Sequence, residues 1–199
     1  MWTQKNSCKL IHISTDYVYN EKFSNPIIEH NPSIPLNNYG KTKLSGDIAC
    51  QKFNPNSIIL RTSWLYSNFG NNFLKKIINL TKTCNELEIV NDQVGSPTYA
   101  GDLAIVILEI IFKKKWVSGI YHFSNSGEAT WFKFANDIKS IYGFKTIIKP
   151  IISDKFYTKA KRPKFSVLDN SKIINAFNIN QINYIESLKK CIKILQNES

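Results

Sequence analysis

Two short apolar runs, each ending in hydroxyl-bearing residues, constrain the fold of this chain more than anything else in it. Residues 8–14 read Cys-Lys-Leu-Ile-His-Ile-Ser and lead into Thr15-Asp16; residues 57–63 read Ser-Ile-Ile-Leu-Arg-Thr-Ser. Runs this short and apolar predict buried strands. Between them lie a loop punctuated by Pro26, Pro32 and Pro35 and a stretch suited to a helix over 38–53. A strand, a helix and a second strand in that order suggest a parallel pair, because parallel strands need a crossover of a dozen or more residues.

The alternation continues. Phe73, Ile77, Ile78 and Leu80 mark one face of a helix over 72–82, followed by a strand at 87–90 and a turn-rich loop at 91–98. A strongly apolar helix is predicted over 99–113, then a strand over 119–124, a helix over 130–142 and an extended stretch over 146–151. A loop around 161–164 precedes a short helix near 171–177, and a helix over 184–196 closes the chain. The expected fold class is α/β: a partial Rossmann-like, mostly parallel sheet with a small C-terminal lobe. Residues 1–98 are assigned to the sheet domain and 99–199 to its remaining elements and the lobe, with the two interleaved.

Composition removes several function classes. At 199 residues, 43% hydrophobic and 21% charged, the chain is long enough to bury a core and has a soluble protein's balance. No apolar run reaches the roughly 18 residues of a membrane span. The first residues, Met1-Trp2-Thr3-Gln4-Lys5, lack a signal peptide's apolar centre, so a cytoplasmic location is expected. The net charge of +11 comes almost wholly from dispersed lysines, with only Arg61 and Arg162 as arginines, which argues against nucleic acid. The basic run Lys113-Lys114-Lys115 follows the apolar helix, where cations suit the helix dipole. Cys8, Cys50, Cys84 and Cys191 are too scattered for a zinc site, and no metal is expected.

Chemistry concentrates at Tyr39-x-x-x-Lys43. In a helix, this spacing stacks phenol and ammonium on one face, and an ammonium beside a phenol favours the phenolate. Tyr39 is therefore suited to give and take a proton. A second match, Tyr157-x-x-x-Lys161, lacks a polar strand end before it and reads as a solvated loop. The first copy follows Ser14-Thr15-Asp16, at a strand end of the kind where open α/β sheets bind ligands. His12 and His122 sit in apolar strand patterns and are read as structural.

Ser14-Thr15-Asp16-Tyr17-Val18-Tyr19, Asn38-Tyr39-Gly40-Lys41-Thr42-Lys43 and Arg61-Thr62-Ser63-Trp64-Leu65-Tyr66 together resemble the extended short-chain dehydrogenase/reductases. Gly70-Asn71-Asn72-Phe73, the 91–98 loop and Arg162-Pro163 continue the resemblance in order, toward the dTDP-4-dehydrorhamnose reductase branch. The resemblance implies reduction of a nucleotide-sugar C4 keto group with NADPH or NADH. Tyr39 would protonate the C4 oxygen, Lys43 would hold the nicotinamide ribose, and Thr15 would hydrogen-bond the carbonyl. The Ile13 backbone would line the cofactor; Asp16, Trp64, Asn72, Phe73 and Arg162 would contact the sugar nucleotide. Ordinary structural duties compete: Trp64 also suits a core, Asp16 a turn cap, Arg162 a solvated loop.

The family opens with a glycine-rich βαβ half, and the eight glycines here never form a close G-x-G-x-x-G triple. The chain is therefore expected to be the C-terminal part of such a reductase, with roughly 80–100 residues, about three βαβ-sized steps, unaccounted for. A sheet without those strands would expose an edge and an apolar face, calling for a complementing N-terminal fragment or a homodimer partner. Two non-enzymatic readings accompany this one: an inactive remnant, and a binding subunit like the regulatory subunit of methionine adenosyltransferase.

Overall fold

Caps and turns set the element boundaries. Asn37 accepts the Gly40 amide at 2.8 Å and starts one helix, Thr130 accepts the Lys133 amide at 3.0 Å and starts another, and Gly143, at φ 85°, closes the latter. The computed structural model describes residues 2–20, 22–113, 116–155 and 160–197. In chain order they form α1 (Trp2–Lys5), β1 (Ile11–Thr15), a 3-10 turn (Asp16–Val18), α2 (Asn38–Phe53), β2 (Ile58–Thr62), β3 (Leu65–Tyr66), α3 (Phe73–Thr83) and β4 (Glu86–Val90). The chain continues through β5 (Val94–Gly95), β6 (Thr98–Tyr99), α4 (Ala100–Phe112), β7 (Gly119–His122), β8 (Ala129–Thr130), α5 (Trp131–Tyr142), β9 (Ile147–Ile151), a 3-10 turn (Ser153–Lys155), α6 (Ser171–Phe177) and α7 (Tyr184–Asn197).

The predicted strands β1, β2 and β7 form one parallel sheet in that order, with Ile13 beside Leu60 and Arg61 beside His122. Alternation divides its faces. Ile58, Leu60, Tyr121 and Phe123 turn toward Leu103, Val106 and Ile110 of α4 and Ile173 and Phe177 of α6. On the opposite face, His12 and Arg61 meet Asp47 of α2. A second core holds a parallel β4–β9 pair under α3, α5 and α7, built on Ile77, Phe134, Ile138, Leu188 and Ile192. Each such aliphatic or aromatic side chain contributes about 1.5–3 kcal/mol by leaving water. The α/β, mostly parallel architecture expected from the alternation is the one found.

The differences are local. The 91–98 stretch, read as loop, contains β5 and β6, which pair with β8 and β3; two-residue strands are too short for periodicity to mark. Lys113 ends α4, yet its ammonium reaches the Phe177 and Asn178 carbonyls at the end of α6 as well as Glu109 on its own helix. Lys114, Lys115 and Tyr157, and with Tyr157 the second Tyr-x-x-x-Lys match, lie outside the described residues. Among the described residues, β1 forms one margin of its sheet, and α4 exposes Ile105, Leu108, Ile111 and Phe112. No helix among them is long and apolar enough to cross a membrane.

Both strand histidines have structural partners. His122 is fully buried, with Nδ1 3.0 Å from the Ile27 carbonyl and Nε2 2.7 Å from the Tyr19 hydroxyl. Because Ile27 O can only accept, Nδ1 carries the proton and Nε2 accepts from Tyr19. Burial first, then the Arg61 charge, pushes His122 down to about 3. His12 is half-buried, with Nε2 3.4 Å from Asp47 Oδ1; burial, then the Lys43 charge, lowers it.

Two predictions follow from this packing. A methyl group on Gly40 would fall 2.1 Å from the Tyr17 carbonyl, whereas one on Gly46 would meet only the His12 ring, at 3.2 Å. Gly40→Ala should cost about 1–3 kcal/mol in denaturant melts, and Gly46→Ala clearly less. Since the unfolded chain protonates His122 more readily than the folded one, stability should be full above pH 6.5 and fall below it. The acid slope contributed by this residue is about 1.4 kcal/mol per pH unit down to about pH 3, and a melting series of His122→Gln should lack it.

Candidate active site

The C-terminal ends of β1 and β2 open onto a cavity of about 290 Å³. Thr15 ends β1 and caps the following turn: its Oγ1 accepts the Tyr17 amide at 3.3 Å and donates to Asp16 Oδ1 at 2.9 Å. Ser63, past the end of β2, donates to the Ser96 carbonyl at 2.8 Å, anchoring the chain just before Trp64. Thr15, Asp16, Tyr17, Tyr39, Trp64 and Arg162 all line this cavity.

Tyr39 projects from the first turn of α2, is 55% exposed, and meets Tyr17 edge-on with ring centroids 5.8 Å apart. Lys43, one turn on, donates from Nζ to the Ile13 carbonyl at 2.5 Å. Lys43 and Ile13, each expected at the cofactor, are thus in direct contact at the sheet margin, outside the lining of this cavity. Helix α2 is seated from below by Asp47, whose Oδ2 takes the Arg61 Nε–H at 3.0 Å, both side chains being buried. Asn37 joins the helix start to the neighbouring loop by donating to the Lys161 carbonyl at 2.9 Å, which brings Arg162 to the same mouth.

Trp64 has a φ of 46°, a costly value for a bulky residue. That backbone lays its indole flat on Trp131, with centroids 3.5 Å apart and planes 2° apart. A side chain on Gly95 would come within 2.4 Å of the Trp64 ring, so the glycine makes room for the stack. Trp64 is partly buried, but it serves as a cavity wall and not as a core filler. The sequence placed Trp131 only as a helix aromatic; the available signal was Gly95, a residue without a side chain in the turn-rich loop facing it.

A second cavity, of about 430 Å³, adjoins the first and shares Leu65, Trp131 and Arg162 with it. Phe73, Ile77, Leu80 and Leu87 make its wall apolar, while Lys76, Glu88 and Arg162 stand among its lining. Asn72 is occupied as the cap of α3, accepting the Lys75 amide at 3.2 Å and donating to the Ser67 carbonyl at 2.7 Å. Asn72 itself is not among the residues lining either cavity, whereas Phe73 lines the larger one.

Electrostatics set Asp16 apart. Its side chain is buried, and burial pushes its carboxyl up to about 6, eased back by the Thr15 and Ser166 hydroxyls and local backbone amides. Burial, then the Asp16 charge, pushes Tyr17 up to about 12. The site thus combines an exposed phenol, a buried carboxyl and a guanidinium around a small cavity that hydroxyl-bearing residues help to line, beside a larger one with an apolar wall.

Known proteins resemble this chain along most of its length. A dTDP-4-dehydrorhamnose reductase of Sinorhizobium fredii is 38% identical over 192 residues, covering 92% of this chain and 65% of that protein. The chain therefore spans just under two thirds of that relative's length. The crystal structure of a dTDP-4-dehydrorhamnose reductase from Clostridium acetobutylicum superposes with a TM-score of 0.92 at 39% identity, covering 98% of this chain and 68% of that one. The Bacillus anthracis reductase, solved in complex with NADP, superposes with a TM-score of 0.90 at 35% identity, covering 96% of this chain and 67% of that one. The family model for the RmlD substrate binding domain matches residues 1–197, and the chain belongs to that family.

Proposed function

We propose that this chain forms the sugar-nucleotide-binding and proton-donating portion of an NADPH-dependent dTDP-4-dehydrorhamnose reductase, which makes the dTDP-L-rhamnose used in polysaccharide biosynthesis. The observation that carries the reading is the adjacency of the two cavities: one lined by Thr15 and Tyr39 shares Leu65, Trp131 and Arg162 with a larger one walled by Phe73, Ile77 and Leu80. A keto sugar suits the first, a diphosphate the Arg162 boundary, and a pyrimidine base the wall around Phe73.

The residues divide the labour of a carbonyl reduction. Thr15, by turning its hydroxyl from Asp16 Oδ1 to the C4 carbonyl, orients the sugar from the end of β1, and orientation is itself a rate term. Tyr39 gives its phenolic proton to the C4 oxygen as negative charge develops there. A positioned acid of this kind contributes on the order of 10²–10⁴ in rate. Trp64 and Trp131 exclude water from one side of the sugar.

The cofactor's fit to this chain is partial. Lys43 and the Ile13 carbonyl, joined at the β1 margin beside Tyr39, suit the nicotinamide ribose. NADPH would supply the hydride. The glycines of this chain offer no close triple to cradle a pyrophosphate. A complementing N-terminal segment that pairs with β1 would supply that cradle and cover the exposed α4 face.

Calorimetry on this chain alone should show binding of dTDP-rhamnose and little or none of NADPH; tight NADPH binding would overturn the division of labour. In the protein completed by its glycine-rich segment, Tyr39→Phe should lower kcat by about 10²–10⁴ with a smaller effect on KM. Unchanged turnover would remove Tyr39 from its role, and binding without any turnover would favour the non-catalytic subunit.

A further inference from the structure

We propose that Gln93 is a positioning residue: its side-chain carbonyl turns the Trp131 indole, and through the stack it sets Trp64 as a wall of the smaller cavity. Its importance for binding rests on the sugar-nucleotide reading of that cavity.

Backbone pairing brings the residues together. Strands β5 and β8 run antiparallel, with Val94 opposite Thr130 and Gly95 opposite Ala129. One further step in that register sets Gln93 opposite Trp131, and opposite residues of an antiparallel pair share a face. The Trp131 Nε1–H accordingly donates to Gln93 Oε1 at 3.2 Å. An indole N–H can only donate, so the oxygen of the amide faces Trp131 and its nitrogen turns away. Asn91 secures the same turn of α5, its Oδ1 accepting from the Thr130 hydroxyl at 2.7 Å. Gln93 is 8% exposed and stands with Phe73, Leu87 and Ile89 in the lining of the larger cavity. A polar side chain kept among apolar neighbours is costly unless it is hydrogen-bonded. Among the described residues, the bond that the Gln93 side chain makes is the one to Trp131.

That bond governs more than one ring. An indole has two orientations related by a half-turn about its Cβ–Cγ bond, and they differ in outline. The bond to Gln93 selects one of them. Trp131 then meets Phe73 at 4.6 Å with the planes 49° apart, and lies flat on Trp64. Trp64 keeps its φ of 46°, a value that persists only where the surroundings hold it. The Thr98 amide donates to the Trp64 carbonyl at 3.2 Å and Gly95 leaves room for the ring, but neither sets how the ring is rotated. The flat face of Trp131 does. Because Trp131 lines both cavities, its orientation also fixes the outline of the boundary between them.

The test is NMR of this chain, labelled at its tryptophans, together with calorimetry of dTDP-rhamnose. In the wild type the ring protons of Trp64 and Trp131 should be shifted upfield by the facing ring, and the Trp131 indole N–H should exchange slowly with solvent. Gln93→Leu should lose the slow exchange and most of the upfield shift, and should bind dTDP-rhamnose about two- to tenfold more weakly, the worth of one hydrogen bond. Gln93→Glu retains an acceptor oxygen and should restore both signatures. Trp2 and Trp116, outside the stack, serve as references and should not move. Unshifted Trp64 and Trp131 protons in the wild type, or a stack that survives in Gln93→Leu, would overturn the proposal. Weaker binding with the stack intact would overturn it too, by making Gln93 a direct ligand contact. Should Gln93→Leu not fold, the wild type and Gln93→Glu still decide, since loss of the stack in folded Gln93→Glu contradicts the assignment. Failure of the wild type to bind dTDP-rhamnose would instead sink the sugar-nucleotide reading, while the spectra would still decide whether Gln93 sets the wall.

Discussion

The ion pair between Arg61 and Asp47 is the contact on which the site's geometry depends. It joins the centre of the sheet to the underside of α2, with both partners buried, and Arg61 also donates to the Tyr19 hydroxyl at 2.6 Å. From Tyr19 the chain of bonds passes to His122 and ends on the Ile27 carbonyl. One guanidinium thus ties β2, α2, the loop after β1 and, through His122, β7. Two ions taken from water gain little net stability as a pair, but loss of either partner leaves a buried charge, typically a cost of about 3–5 kcal/mol. The pair acts as a registration device for the helix that presents Tyr39 and Lys43.

Two cores alternate along the chain. Strand β2 belongs to the first, α3 and β4 to the second, α4 and β7 to the first again, and α5 and β9 to the second. Because the chain crosses between them repeatedly, the cavities sit where the two meet, walled by the end of β2 on one side and by α3 and α5 on the other. Phe73, Ile77 and Trp131 bring the second core to the cavities, while the first reaches them only through the polar residues at the ends of β1 and β2.

Much of this was legible in the sequence, for identifiable reasons. Helices α2 and α6 fall on their predicted residues, α2 because Asn37 caps one end and Asn54-Pro55 follows the other. The strand read as 8–14 is Ile11–Thr15, because pairing with β2 begins only at Ile11. That Thr15, Asp16 and Trp64 meet at one cavity fits the shared edge of strand ends in a parallel sheet, whereas Tyr39 is marked by its helical spacing to Lys43 and Arg162 by the family resemblance alone. The contacts that depend on long-range packing were not legible. Arg61 and Asp47 meet across a face that alternation does not label, the Trp64–Trp131 stack needs an unusual backbone angle, and Asn72 is claimed by a helix terminus.

Gly40 separates two pressures that a motif search merges. It stands beside Tyr39, yet its role is spatial: the turn after β1 passes so near α2 that its carbonyl occupies the place of a methyl group. A descendant that abandoned chemistry could replace Tyr39, an exposed side chain, at little structural cost, but could not enlarge its neighbour without moving the helix. Under the proposed role of Tyr39, the Tyr-Gly dipeptide holds a record of function in its first residue and a record of architecture in its second, and the two can decay at different rates.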